Sequence, residues 1–235
     1  MVELEACVEA LAEAKLASIH KLKRIELCSA LDVGGLTPSI GLIEACAKLP
    51  HIEMHVLIRP RPGDFAYGPA ELELMKRDIK MSAKKGARGV VFGVLNKAGL
   101  LNFEVNKKLI QLSKSLGMEA TFHRAFDVSE NPEKVLNQLI ELGFDRLLTS
   151  GQADTAIEGI ETIRELVQQA ERKIQIMAGS GVNPTNALQL VETDVDALHF
   201  SVRKPLKEER LGMGTTYQPD LAKIEAIREV VGKSS

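Results

Sequence analysis

Three observations predict that the chain, residues 1–235, is a single α/β domain of the TIM (β/α)8 barrel class. Eight short β-like runs alternate with helical runs, the length of 235 residues suits one such barrel, and the strands place apolar and polar side chains on opposite faces. The β-like runs fall at 2–6, 24–28, 53–59, 89–93, 119–123, 145–149, 174–178 and 197–201. Helical stretches lie between them at 8–20, 39–49, 70–85, 102–116 and 156–171. Pro132 and Pro184 each follow an asparagine, the pattern of an N-cap with proline at the first helical position. Gly86, Gly117 and Gly143 each stand between a helix and the next strand, where a C′ glycine belongs. Eight β-then-α units in order argue for a parallel sheet with right-handed crossovers, and eight also permit closure. A doubly wound open sheet is the alternative. No linker, low-complexity tract or internal boundary interrupts the pattern. Long loops follow strands two, three and eight, and βα loops are where barrels carry function.

Composition excludes several function classes. Net charge is −2, which leaves no electrostatic footprint for nucleic acid. Apolar residues make up 45%, and no run is long and apolar enough to span a bilayer. The N-terminus is acidic from its third residue, unlike a secretory signal. Cys7, Cys28 and Cys46 are too few for a disulfide framework, so a cytoplasmic protein with reduced thiols is expected.

Side-chain parity locates the polar groups. In strand two, Ile25 and Leu27 suit the helix layer, which turns Arg24, Glu26 and Cys28 into the lumen. The same alternation turns Glu3, Glu5 and Cys7 inward in strand one, and Glu53, His55, Leu57 and Arg59 in strand three. Strand five turns Thr121 and His123 inward, and strand eight Ala197, His199 and Ser201. Barrel lumens are normally filled by branched apolar side chains, and buried charges are costly unless paired. Glu5, Glu26, Arg59, His55, His123 and His199 are therefore expected to form one satisfied network. That network is either a structural ion-pair plug or a site at the strand C-termini, where barrel active sites lie.

Several loops have chemical character. Arg59 and Arg61 flank a proline in IRPRPGDFAYG and suit an anion clamp, unless Asp64 pairs with either. Asp127 follows His123 by four residues in HRAFD and could orient its imidazole for acid–base work, though short polar loops also pair structurally. Gly179, Ser180 and Gly181 follow strand seven, where backbone N–H groups at a helix N-terminus would bind an anion. Gly34-Gly35-Leu36-Thr37-Pro38 and Thr149-Ser150-Gly151 offer further donors; simple turn geometry is the competing account of each glycine segment. Cys7 and Cys28 share lumen parity on neighbouring strands, and two soft thiolates suit Cu(I), although cysteine is also a common buried small residue. Cys46 sits amid a helix and reads as core or interface packing.

The runs RIELCSALDVGGLTPSIG, IRPRPGDFAYG, TFHRAFD, LLTSGQ and MAGSGV closely resemble the CutC family, often named for copper homeostasis. The resemblance covers nearly the whole chain, and the motifs are specific in combination. It implies a cytoplasmic TIM barrel, often a homo-oligomer, with a copper (Cu(I)) site at Cys7 and Cys28. The segment HFSVRKPLKEERLGMG departs from the family pattern: it is short, and Ser201-Val202 stands where a pair of small residues is expected. Three functions follow. One is direct Cu(I) binding through Cys7 and Cys28. The second is an enzyme acting on a small anionic or phosphorylated metabolite. In that enzyme Arg59, Arg61, Ser150 and Gly179–Gly181 hold the anion, and Glu5, Glu26, His123, Asp127 and His199 supply the acid–base groups. The third is a scaffold with only an indirect link to copper.

Overall fold

The computed structural model describes residues 2–209, 211 and 214–232. Eight parallel strands close into a barrel in sequence order: β1 (Glu3–Val8), β2 (Arg24–Leu27), β3 (Glu53–Leu57), β4 (Gly89–Phe92), β5 (Glu119–Phe122), β6 (Arg146–Thr149), β7 (Gln175–Gly179) and β8 (Ala197–Ser201). β8 pairs back onto β1, with Glu5 opposite His199 and Cys7 opposite Ser201. Closure leaves no edge strand in the barrel, which rules out the open doubly wound sheet. β1 runs two residues further than expected, through Val8, and so carries Cys7 within the barrel wall.

The outer layer consists of α1 (Leu11–Ile19), α2 (Ile40–Cys46), α3 (Pro69–Lys84), α4 (Phe103–Ser115), α5 (Pro132–Leu142), α6 (Ile160–Ala170), α7 (Ala187–Val191) and α8 (Leu221–Gly232). Asn131 caps α5 as expected, its Oδ1 accepting the Lys134 N–H at 3.1 Å with Pro132 in the first turn. Asn183 does not cap a helix. Its side chain accepts from Thr185 within a turn, Asn186 Oδ1 accepts the Asn183 N–H, and α7 begins only at Ala187. Gly86, Gly117 and Gly143 all take left-handed φ values of 94°, 74° and 83° after their helices, as expected of C′ glycines.

Two separate interiors result. Between barrel and helices lies the main apolar core, which takes Ile25, Leu27, Val56, Phe122, Leu198 and Phe200. Inside the lumen lie two small apolar clusters, Cys7 with Cys28, Leu57 and Val91, and Leu148 with Met177 and Ala197. The rest of the described lumen is polar. Arg24, 1% exposed, pairs with Glu5 and reaches Glu3 at 3.2 Å. Arg146 pairs with Glu119, and fully buried His55 lies 3.6 Å from the same carboxylate. This ionic layer fills the lower barrel and supports the strand ends above it.

The segment after β8 forms an antiparallel hairpin, β9 (Arg203–Glu208) and β10 (Thr215–Pro219), where the sequence suggested only a long loop. Tyr217 and Arg203 anchor it to the barrel mouth. Both bond Asp32, at 3.0 and 2.7 Å, and the guanidinium stacks 3.7 Å from the Tyr217 ring centroid. Among the described residues no helix is long and apolar enough to cross a membrane.

Candidate functional site

The strand C-termini open into a cavity of about 300 Å³. Cys7 from β1, Glu26 from β2 and His199 from β8 form its floor. Arg59, Phe65 and His123 line one wall, and Arg124, Ser180, Gly181 and Lys223 approach from the rim. Parity explains the floor: Cys7 and Glu26 are directly paired in register, and His199 pairs with Glu5, two residues below Cys7.

The floor is electrostatically coupled. Glu5 lies beneath the cavity, 1% exposed, and its carboxylate bonds His199 Nδ1 at 2.8 Å on one side and Arg24 on the other. Burial alone would push Glu5 up, but the His199 bond and the charges of Arg24 and His199 outweigh it and hold the carboxyl well below its usual range. Burial lifts the Glu26 carboxyl to about 7; the Glu5 charge adds to the rise and His199 opposes it. Burial disfavours the charged His199 ring, yet Glu26, then the bond and charge of Glu5, raise it above the ordinary histidine value. Cys7 Sγ lies 3.8 Å from both Cys28 Sγ and Glu26 Oε1. The Cys28 contact, burial, and the Glu26 and Glu5 charges push its thiol well above the ordinary value. All three cysteines are free and buried.

His123 has a different character. Its Nδ1 accepts the Ala125 N–H at 3.2 Å, so the ring proton of the neutral form sits on Nε2, which has no described partner. Burial, aided by the Arg59 charge, depresses its pKa to about 3. The ring is therefore a neutral donor in the cavity wall at ordinary pH. Phe65 packs against it with centroids 4.8 Å apart.

Several sequence expectations differ from the structure. Arg61 does not join Arg59 in a clamp. It turns outward to Glu71 at 2.5 Å and Asp64 at 2.8 Å and stacks on Tyr67, because two carboxylates satisfy it on the surface. Arg59 does line the cavity, but its terminal nitrogens are taken by loop carbonyls: Nη1 donates to Val33 and Gly35, and Nη2 to Gly63, while Nε has no partner among the described residues. Asp127 does not orient His123. It accepts from Thr149 Oγ1, the Ser150 and Gln152 amides and Arg124, and so clasps two loops together. Ser150 is fully buried, donates its hydroxyl to Ala153 O and stands outside the cavity lining. Gly179 ends β7 opposite His199 and is likewise not part of the lining, whereas Ser180 and Gly181 are. These two do not cap a helix, since α7 starts six residues beyond Gly181. Their amides, with that of Val182, find no protein acceptor among the described residues and lie at the rim.

Sequence reasoning missed Arg124 and Lys223 as cavity groups. Lys223 belongs to the first turn of α8, outside any strand, so parity gave no signal for it. Burial lowers its amine pKa, with Asp220 opposing.

Comparison with known proteins agrees with the barrel fold. The pattern of the CutC family matches residues 2–204, which includes every floor residue. A CutC family protein of Glaesserella parasuis serovar 5 is 42% identical over 237 residues, covering 98% of this chain and 97% of its own. One from Vibrio cholerae serotype O1 is 42% identical over 210 residues, covering 89% and 83%. Among solved structures, a candidate copper homeostasis protein CutC from Streptococcus agalactiae superposes with a TM-score of 0.81 at 34% identity, over 86% of this chain and 99% of its own. A 3-hexulose-6-phosphate synthase from Salmonella typhimurium, at 15% identity and a TM-score of 0.66 over the whole of both chains, shares the barrel fold alone. The family match, the relatives and the solved CutC structure each span most of this barrel, and the chain belongs to the CutC family.

Proposed function

We propose that the barrel-mouth cavity is the reaction site of an enzyme acting on a small anionic metabolite, such as a phosphorylated one. The observation that carries this reading is the combination, in one cavity of about 300 Å³, of a reactive floor (Cys7, Glu26, His199) with cations at the rim (Arg124, Lys223). The Ser180 and Gly181 amides and the rim cations suit the anionic end of a ligand. His123 donates its Nε2 proton toward the middle of the ligand, and proton transfer belongs to the floor. Arg59 acts indirectly, holding the loops after β2 and β3 against the cavity. The setting is cytoplasmic and homo-oligomeric, as the resemblance implies. The test is titration calorimetry with inorganic phosphate. Saturable binding by the parent, at least about tenfold weaker in Lys223→Met, is expected from the loss of one charge-assisted contact. Equal binding by both proteins would remove the rim from the site.

A second reading, Cu(I) handling, is favoured by the 3.8 Å separation of Cys7 Sγ and Cys28 Sγ. The pair fits the ion's preference for soft sulfur, so these two residues would hold it. The raised Cys7 thiol opposes binding near neutral pH, because the ion must displace its proton. Anaerobic competition with a Cu(I) chelator is expected to show affinity rising with pH and lost in the Cys7→Ser, Cys28→Ser double variant. Undiminished affinity in the double variant excludes the cysteine site.

A further inference from the structure

We propose that Cys7, Glu26 and His199 form a three-ligand centre for a divalent ion of the zinc class, with Glu5 as the positioning residue and an open coordination place facing the cavity. The inference rests on the reading of this cavity as a reaction site, but its test does not.

Four observations support the centre. One ligand atom from each of the three buried residues lies within 4.8 Å of those of the other two. Glu26 is 5% exposed, and its Oε2 has no hydrogen-bond partner among the described residues, a cost that an unpaired buried carboxylate oxygen does not normally sustain. His199 Nδ1 is tied to Glu5 at 2.8 Å, which leaves Nε2 as the ligand nitrogen. A carboxylate on the far ring nitrogen is the arrangement by which proteins fix the tautomer and orientation of a metal-bound histidine. Finally, Cys7, Glu26 and His199 all line the cavity whereas Cys28 does not, so an ion on the cavity side meets three protein ligands and leaves one place to a water or substrate.

The donor set selects the ion. One thiolate, one carboxylate and one imidazole is a mixed set that zinc accepts, while a carboxylate is a poor partner for Cu(I). Charge points the same way. Glu5 and Glu26 place two carboxyl groups around a thiol in a buried floor whose only fixed cation in contact, among the described residues, is Arg24, and a dication offsets the charge that remains once His199 ligates as a neutral ring. Binding releases to solvent the Cys7 thiol proton and any proton held on His199 Nε2 or on Glu26, and places the Cys7 sulfur, a Glu26 oxygen and His199 Nε2 on the metal, with no change of oxidation state.

The probes are Zn(II) and Co(II) salts added to chelator-treated full-length protein. Expected are one ion per chain by calorimetry and a Co(II) spectrum with four-coordinate bands and a single-thiolate charge-transfer band. Glu5→Gln is expected to weaken Zn(II) binding about 10–100-fold, as loss of a carboxylate behind a ligand histidine does. Cys28→Ser should leave affinity within a few-fold of the parent. Failure of the parent to bind either ion overturns the proposal, as does loss of binding in Cys28→Ser with retention in His199→Gln. Should Glu26→Gln or His199→Gln not fold, the parent spectrum decides alone: two-thiolate intensity overturns the centre and one-thiolate intensity supports it. Ion binding without phosphate binding would sink the enzyme reading and spare this one; phosphate binding without ion binding would do the reverse.

Discussion

His55 and His123 fit inside this barrel because a glycine of strand β4 and its extension stands opposite each ring. A Cβ on Gly89 would overlap the His55 ring, and one on Gly93 would lie 2.9 Å from His123 and from Phe122. The absence of two methyl groups is thus what admits two imidazoles to the lumen. Gly89→Ala is expected to destabilise the fold by about 1–3 kcal/mol, the usual cost of overpacking a filled interior. Urea denaturation of the single variant measures it, and an unchanged midpoint would show that the ring has room to move. Parity placed the inward side chains correctly from the sequence, since alternation depends only on strand existence. Partners were less legible. Arg59 and Arg61 read alike in IRPRPG, yet one braces loop carbonyls and the other meets Glu71, ten residues further along the surface. Nothing local in the motif encodes that divergence.

At the scale of elements, the loops after β5 and β6 are held together by one carboxylate. The Asp127 side chain is 5% exposed and receives the Thr149 hydroxyl at 2.5 Å, the Ser150 amide at 3.0 Å and Arg124 at 2.8 Å. Removing it in Asp127→Ala leaves buried donors unpaired, at about 1–3 kcal/mol for each that water does not recover. Lower denaturation midpoints and faster amide exchange at Ser150 are the expected readouts. The nitrogen shifts of His123 should stay those of the parent. A changed His123 tautomer would restore the sequence expectation that Asp127 orients the ring. Strand and helix order was legible from periodicity, and α5 from its Asn-Pro start. The β9–β10 hairpin was not, because β9 is mostly exposed and lacks the apolar alternation that marks a half-buried strand. Its anchor, Arg203 with Tyr217 on Asp32, joins residues 171 and 185 positions from that aspartate, which no local window sees.

Across the whole molecule, the polar lumen fixes how stability responds to acid. Burial depresses both His55 and His123 to about 3. Glu5 opposes that depression at His55, while Arg146, Arg24 and Arg88 add to it, and Arg59 adds to it at His123. Above the ordinary histidine value of about 6.5 both rings are neutral in the folded and the unfolded chain, so neither contributes a pH dependence. Below it the unfolded chain binds protons that the folded barrel refuses until about 3. Stability is therefore lost as pH falls through this window, by about 1.4 kcal/mol per pH unit for each ring. At pH 5 the two together remove about 4 kcal/mol, a large share of an ordinary domain's stability. Glu26 and His199, both raised, bind protons more readily when folded and act in the opposite direction. The histidine contribution is therefore read as a difference between proteins. Urea midpoints of the parent, His55→Gln and His123→Gln at pH 7.5, 6 and 5 are expected to show a shallower acid slope in each variant than in the parent. A variant slope equal to the parent's would mean that the ring takes up its proton inside the barrel, and would require lumen water that solvates the charge.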